Sequence, residues 1–350
     1  MMRFGFRFSC KRGALIALAA LVAGCTGAQH APGAVPFALP FDYAQGRLAQ
    51  GDTDTGADRA IAAWMKPGAA SGDLLYASGF SEQYDQSEVF ILSYPQGQLV
   101  GSIAIATQGM CSDTQGNVYL LNQNAAIEYA HGGTRAIRTV HIPGADTVAC
   151  AVDPTTGNLA VTFYCPPCGS EDLAIFPPGS GQSTRYDAPL ANTVGYDNQG
   201  NLFLASYDSG SAIAELPNGT SQFIDINLNE DIGQSGQIQW DGKYITLQNI
   251  KTPSTISRIS ISGTSGTVVS QEKFGLYMRR VGYSWLSGDG TVTFPLATRG
   301  GETNEIGIWK YPKAPHIMKI IKKIASGDRG FGSVTVSLAA SRSRTRRLEP

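Results

Sequence analysis

"SDTQGNVYLLN", residues 112–122, decides the fold. Asp113 stands ahead of a tight turn at Gly116, and the turn opens onto a strand-forming run from Val118 to Leu121. An aspartate there can accept the turn's backbone N–H groups, and glycine takes the positive φ that a tight hairpin demands. The unit recurs. "DPTTGNLAV" (Gly157), "DNQGNLFLA" (Gly200), "WDGKYITL" (Gly242) and "SGDGTVTF" (Gly290) repeat it, with a truncated first copy in "SGDLLYAS" (Gly72). Successive glycines lie 44, 41, 43, 42 and 48 residues apart. A steady period of this length marks an architecture in which each unit buries its faces against its neighbours.

Each unit contains four short strands. The third runs "TVACAVD", "NLAVTFY", "DLAIFPP", "STRYDAP"; the fourth runs "TVGYD", "NLFLASY", "AIAELP", "SQFIDI". The second strands are apolar almost throughout, as expected where neighbouring blades cover both faces. The first unit starts without an innermost strand, and a spare strand, "FGSVTVSLAA" (residues 331–340), is left at the other end. It follows "HIMKIIKKI", which reads as the outermost strand of unit six, its lysines guarding a sheet edge. The pattern predicts an all-β chain: a six-bladed β-propeller of four-stranded antiparallel blades over residues 70–340. In this reading residues 333–339 complete blade one and close the ring, which removes exposed strand edges.

The rest of the chain reads as address and tether. Arg3, Arg7, Lys11 and Arg12 precede a short apolar core, Ala14 to Ala23, about half the length a bilayer-spanning helix needs. Val22-Ala23-Gly24-Cys25 resembles the bacterial lipobox, so residues 1–24 are expected to be a lipoprotein signal peptide and Cys25 the lipidated residue. Residues 25–57 have the composition of a flexible tether. Residues 58–68, with Ile61, Trp64 and Met65 at helical spacing before Pro67-Gly68, suggest a short docking helix. Residues 341–350 form a basic tail expected to be disordered. These features place the protein outside the cytoplasm, exported and held by lipid on the cell-envelope membrane, facing periplasm or exterior. Setting residues 1–24 aside leaves 23 basic against 28 acidic residues, a balance that excludes a nucleic-acid surface.

The repeats resemble the six-bladed propellers of the NHL, gluconolactonase (SMP-30-like) and virginiamycin B lyase kind. With "YPQGQ", "EYAHGGT" and "WKYPK", the exported form is similar to uncharacterised bacterial lipoprotein propellers. The likeness spans about residues 70–340 and speaks to fold more than to activity. A lyase of the virginiamycin type implies a channel histidine, yet His30, His131, His141 and His316 all fall elsewhere. A gluconolactonase implies converging oxygen ligands for a divalent cation in the channel. The inner-strand aspartates of this sequence fall at the turn end instead, where capping is the expected role. No catalytic residue, metal ligand or cofactor is therefore assigned, and a channel cation is expected only if the lactonase alternative holds.

Four of the six cysteines lie in the repeats. In "YCPPCG", Cys165 and Cys168 lie in a strand-to-strand loop, where an oxidising compartment favours a local disulfide over metal binding or redox chemistry. Cys111 and Cys150 sit on adjacent inner strands with opposite parity, compatible with both entering the interface between blades two and three. A buried thiol pair and a bridge both fit that parity.

Loop length locates the expected binding face. Turns between third and fourth strands are short and uniform. Loops between second and third strands ("GFSEQYDQSE", "YCPPCGSED", "SYDSGS", "NIKTPST", "ATRGGETNE") are longer and share a face with the blade connections. Long loops on a rigid scaffold are where binding groups are carried. That face gathers Tyr84, Asp85, Asp146, Tyr207, Asp208, Glu230, Asp231, Tyr277, Arg279, Arg299 and Glu302. The expected function is recognition of a protein, glycan or small polar ligand by a membrane-tethered scaffold. The alternative is a metal-dependent hydrolase or lyase of the gluconolactonase type.

Overall fold

The computed structural model describes residues 63–81, 86–165, 170–188, 191–206, 210–249, 255–274, 283–296, 305–312, 317–322 and 328–340. Strands are numbered along the chain. The first run holds β1 (Trp64–Met65), β2 (Leu74–Ser81), β3 (Gln86–Ser93) and β4 (Leu99–Ile103); the second holds β5 (Met110–Ser112), β6 (Val118–Asn122), β7 (Ala125–Tyr129) and β8 (Ala136–His141). The third holds β9 (Asp146–Val152), β10 (Leu159–Cys165), β11 (Ser170–Phe176) and β12 (Thr184–Asp187). Next come β13 (Thr193–Tyr196), β14 (Leu202–Ala205), β15 (Ala212–Leu216) and β16 (Ile224–Leu228). They are followed by β17 (Ser235–Trp240), β18 (Ile245–Asn249), β19 (Thr255–Ser262) and β20 (Ser265–Lys273). The last are β21 (Trp285–Ser287), β22 (Thr291–Leu296), β23 (Glu305–Lys310), β24 (Ile317–Lys322) and β25 (Asp328–Ser337).

The chain is all-β, a propeller of small antiparallel sheets. Three sheets are simple four-strand meanders, β5–β8, β9–β12 and β21–β24. An eight-stranded sheet joins the meanders β13–β16 and β17–β20 edge to edge, because β16 and β20 pair in parallel at Asn227↔Ser265 and Leu228↔Gly266. The fifth sheet has the order β1-β4-β3-β2-β25, so the C-terminal strand does complete the sheet in which the repeats begin. Leu74 pairs with Ser337 and Ala77 with Val334, and Val334 and Val336 are buried. This strand starts earlier than the residue-333 boundary expected from sequence, at Asp328.

The turns form for the reason the repeat implies. Gly116, Gly157, Gly200, Gly242 and Gly290 all have positive φ, between 77° and 93°. Asp113 Oδ1 accepts Gln115 N and Asn117 N at 2.8 Å each, and its Oδ2 accepts Asn117 Nδ2. Asp197 repeats all three bonds with Gln199 and Asn201, while Asp153, Asp241 and Asp289 cap their turns through the N–H groups of Thr155, Lys243 and Thr291. Gly72, in the truncated copy, is extended instead, with φ −111°.

Among the described residues, packing between the meanders produces six hydrophobic clusters. Each spans two meanders consecutive in the chain, except the one that joins the last to the first. That cluster sets Ile306, Ile308 and Ile321 against Leu75, Leu92, Val334 and Val336. Between β17–β20 and β21–β24, Phe294 and Trp309 meet edge to face at 5.4 Å, with Phe274 4.9 Å from Phe294. Burying side chains of this size contributes about 2 to 3 kcal/mol each, so the blade interfaces dominate stability.

Two expectations need correction. Trp64 and Met65 form a strand on the outer edge of β4, at Trp64↔Ser102 and Met65↔Gly101, where a docking helix was expected over residues 58–68. Pairing satisfies the edge's backbone groups, and Gly101 leaves room for the Met65 sulfur, which a Cβ there would meet at 2.6 Å. Pro67-Gly68 then leads into a single 3-10 turn, Ala69–Ser71. Two of the second-to-third-strand loops, those of β2/β3 and β10/β11, are also shorter than expected. The ladders of β2/β3 and β10/β11 continue to Ser81↔Gln86 and Cys165↔Ser170, and β6/β7 close through the two residues Gln123 and Asn124.

Candidate functional site

The middle of the propeller is bounded by the innermost strands β25, β5, β9, β13, β17 and β21. These strands are tied to one another by side-chain and backbone contacts. Ser112 Oγ donates to Val336 O at 2.8 Å, linking β5 to β25. Cys111 and Cys150 form a disulfide between β5 and β9, with Cα atoms 5.7 Å apart, which decides between the thiol pair and the bridge. Ile238 N donates to Thr193 Oγ1 between β17 and β13, and Leu286 N donates to Gln239 Oε1 between β21 and β17. Tyr283 N donates to Gly332 O, returning to the closing strand. The approach is tight: a Cβ on Gly195 would stand 2.5 Å from Ile238 O, and one on Gly109 would run into Val148 O.

Trp285, on β21, is half-buried and packs against two of the hydrophobic clusters, the one containing Cys111 and Cys150 and the one containing Val334 and Val336. One side chain from the last meander therefore touches clusters belonging to the first, second and third. Gln248 Oε1 adds a buried polar knot beside it, accepting Ser284 Oγ at 2.8 Å, Ser284 N at 3.0 Å and Gln237 N at 3.3 Å.

At the turn end, the repeated aspartates are occupied by their own turns. Asp241 carries more: its Oδ2 accepts Arg258 Nε at 2.6 Å and Tyr311 Oη at 3.1 Å, and the Arg258 guanidinium lies 4.7 Å from the Tyr244 ring centre. Burial opposes the charge on Arg258, but the hydrogen bond and charge of Asp241 outweigh it and raise its pKa. Among the described residues, no three of His, Cys, Asp and Glu converge as a metal site.

Two concavities lie away from the expected face. One, about 220 Å³, is lined by Asp73, Tyr94, Gln96 and Ala339 next to the ring closure. The other is a shallow groove beside the edge strand β12, where Tyr186 meets Phe223 edge-on at 6.2 Å.

Of the residues expected to bind, three are described. Asp146 opens β9, half-buried, opposite Tyr164. Glu230 and Asp231 are exposed on the connection between β16 and β17; Glu230 Oε1 accepts Gln271 Nε2, and Asp231 Oδ1 accepts Gly233 N at 2.7 Å. Asp231 is thereby partly committed to its own turn. Tyr84, Asp85, Tyr207, Asp208, Tyr277, Arg279, Arg299 and Glu302 lie outside the described residues, as do Cys25 and Cys168. Cys165 is disulfide-bonded. Sequence reasoning missed Trp285 and the role of His131, whose imidazole bridges Gly72 and Ser337.

Solved structures share this arrangement. A protein of unknown function from Bacteroides caccae is similar at 10% identity and a TM-score of 0.56, with 76% of this chain and 99% of that one covered. A chain of a nidogen/laminin complex is similar at 12% identity and a TM-score of 0.57, covering 77% and 99%. At these identities the likeness concerns fold alone. No family model and no curated protein sequence matches the chain.

Proposed function

We propose that this chain is an exported lipoprotein whose propeller has six blades of the NHL and gluconolactonase-like kind and serves as a recognition scaffold. The six inter-meander clusters and the edge-to-edge character of the eight-stranded sheet support six blades, with β13–β16 and β17–β20 as separate blades fused at their rims. The observation that carries the recognition reading is the commitment of the repeated aspartates to their own turns. Trp285 joins clusters from opposite ends of the repeat array, and the aspartates so committed are the groups that a cation site would need. Binding is thus assigned to the loop face, with the eleven residues named above as its candidates and a protein, glycan or small polar molecule as ligand. Lipid on Cys25 would tether the propeller to the envelope membrane.

The test has two arms. Radiolabelled palmitate fed to expressing cells should enter the protein and be lost in Cys25→Ala. A glycan and peptide array probed with the purified domain should give hits that Tyr207→Ala and Tyr277→Ala remove while melting is unchanged. Stoichiometric bound calcium, a calcium-dependent rise in melting temperature and lactone hydrolysis would instead establish the gluconolactonase alternative.

A further inference from the structure

We infer that His131 is a proton-dependent clasp on the ring closure, one that makes its full set of bonds only when both imidazole nitrogens carry hydrogen. Counting the hydrogens around the ring fixes which atoms donate. Nε2 lies 3.0 Å from the Gly72 carbonyl oxygen, which can only accept, so Nε2 donates. The Ser337 hydroxyl has a single hydrogen and directs it to the Gly116 carbonyl oxygen, which again can only accept. Nδ1 lies 2.6 Å from that same hydroxyl oxygen. With the hydroxyl hydrogen committed, Nδ1 must donate as well. A ring that donates from both nitrogens is an imidazolium.

A neutral ring forfeits one link. Either Ser337 turns its hydrogen toward Nδ1 and abandons Gly116, or two lone pairs face each other. Ser337 is fully buried, so water does not replace the lost partner.

The clasp sits where the ring is sealed. Gly72 leads into β2, His131 and Gly116 belong to the turns of the second sheet, and Ser337 ends β25. On the elements packed around the imidazole the titratable groups are Tyr76 and Asp73 from the first sheet and Asp113 from the Gly116 turn. Tyr76 Oη accepts Gly132 N, Asp73 Oδ1 accepts Ala339 N, and the Asp113 carboxylate is held by its turn. On its own hairpin, Glu128 pairs with Arg138 at 2.9 Å and Arg135 is exposed. Ser333 to Ala340 contribute no ionisable side chain.

The experiment measures side-chain ¹⁵N shifts of His131 in the full chain, together with melting of the native protein, His131→Gln and Ser337→Ala. Both are recorded at about pH 5.5 and about pH 8.5, on either side of imidazole's ordinary titration. We expect both nitrogens protonated at the lower pH. The melting-temperature advantage of the native protein over His131→Gln should be at least about twofold larger there than at the higher pH, and Ser337→Ala should abolish that pH dependence. The other three histidines are common to all variants, so the comparison isolates His131. An unprotonated Nδ1 at the lower pH, or an advantage equal at both, would overturn the inference. Should a variant fail to fold, the shifts of the native protein decide alone.

Discussion

Replacing both Cys111 and Cys150 by alanine removes a covalent tie between two inner strands, and its cost can be worked from the loop it closes. The bridge spans 39 residues. Loop-closure entropy for that span amounts to about 4 kcal/mol in the unfolded chain. Unfolding entropy near 2.1 cal/mol/K per residue over about 280 residues gives roughly 0.6 kcal/mol/K, so the melting temperature should fall by about 7 °C. Cys111 and Cys150 are 0% and 2% exposed, so truncation also leaves a small void that deepens the fall. Calorimetry of the double variant beside the native protein, with both single variants as controls, reads this directly. The singles lose the same cross-link and should melt close to the double. A drop under about 2 °C in the double variant would refute the assignment of this bridge as a staple of the inner ring.

Three further outcomes follow from the geometry. Gly195→Ala should destabilise by at least about 2 kcal/mol in denaturant titration, because its Cβ would meet the backbone oxygen of Ile238, which cannot move aside; a neutral result would mean β13 and β17 are further apart. Asp241→Ala should cost about 2 to 3 kcal/mol, the partly exposed Arg258 tempering the loss, while Tyr311→Phe should cost less, since it removes one bond of several. In alkali, burial pushes the Tyr76 hydroxyl up to about 12 and raises Tyr94, Tyr119, Tyr129, Tyr196 and Tyr311 as well. The unfolded chain then releases those protons first, so stability is intact below about pH 10 and falls as pH rises toward 12. Absorbance near 295 nm should accordingly rise in two stages, the second coincident with unfolding; a single early transition would contradict the burial of these rings.

What was legible in the sequence was local. An Asx-capped glycine turn needs only four or five neighbouring residues, so Asp113 to Asn117 could be read, and its recurrence then implied the repeat and the spare strand that closes it. The edge strand at Trp64 could not be read in the same way. Helical spacing of Ile61, Trp64 and Met65 is compatible with a helix, and only the unpaired edge of β4, brought close by folding, favours extension. The parity of Cys111 and Cys150 indicated a common interface, but choosing between thiols and a bridge required the 5.7 Å Cα separation. The packing of Trp285 was invisible because it reaches a cluster of the second and third sheets, at the other end of the repeat array. His131 looked like an ordinary turn residue for a similar reason, since its partner Ser337 is 206 positions away. Contacts across a ring carry no sequence period.

Closure of the ring requires β25 to be an integral strand of the first sheet. Amide hydrogen exchange of the native protein, resolved to Ser333 through Ser337, tests this most directly. These amides should exchange as slowly as those of Leu75 to Ala77 in β2 and only through global unfolding. Exchange at the rate of an exposed terminus, with β2 still protected, would contradict it.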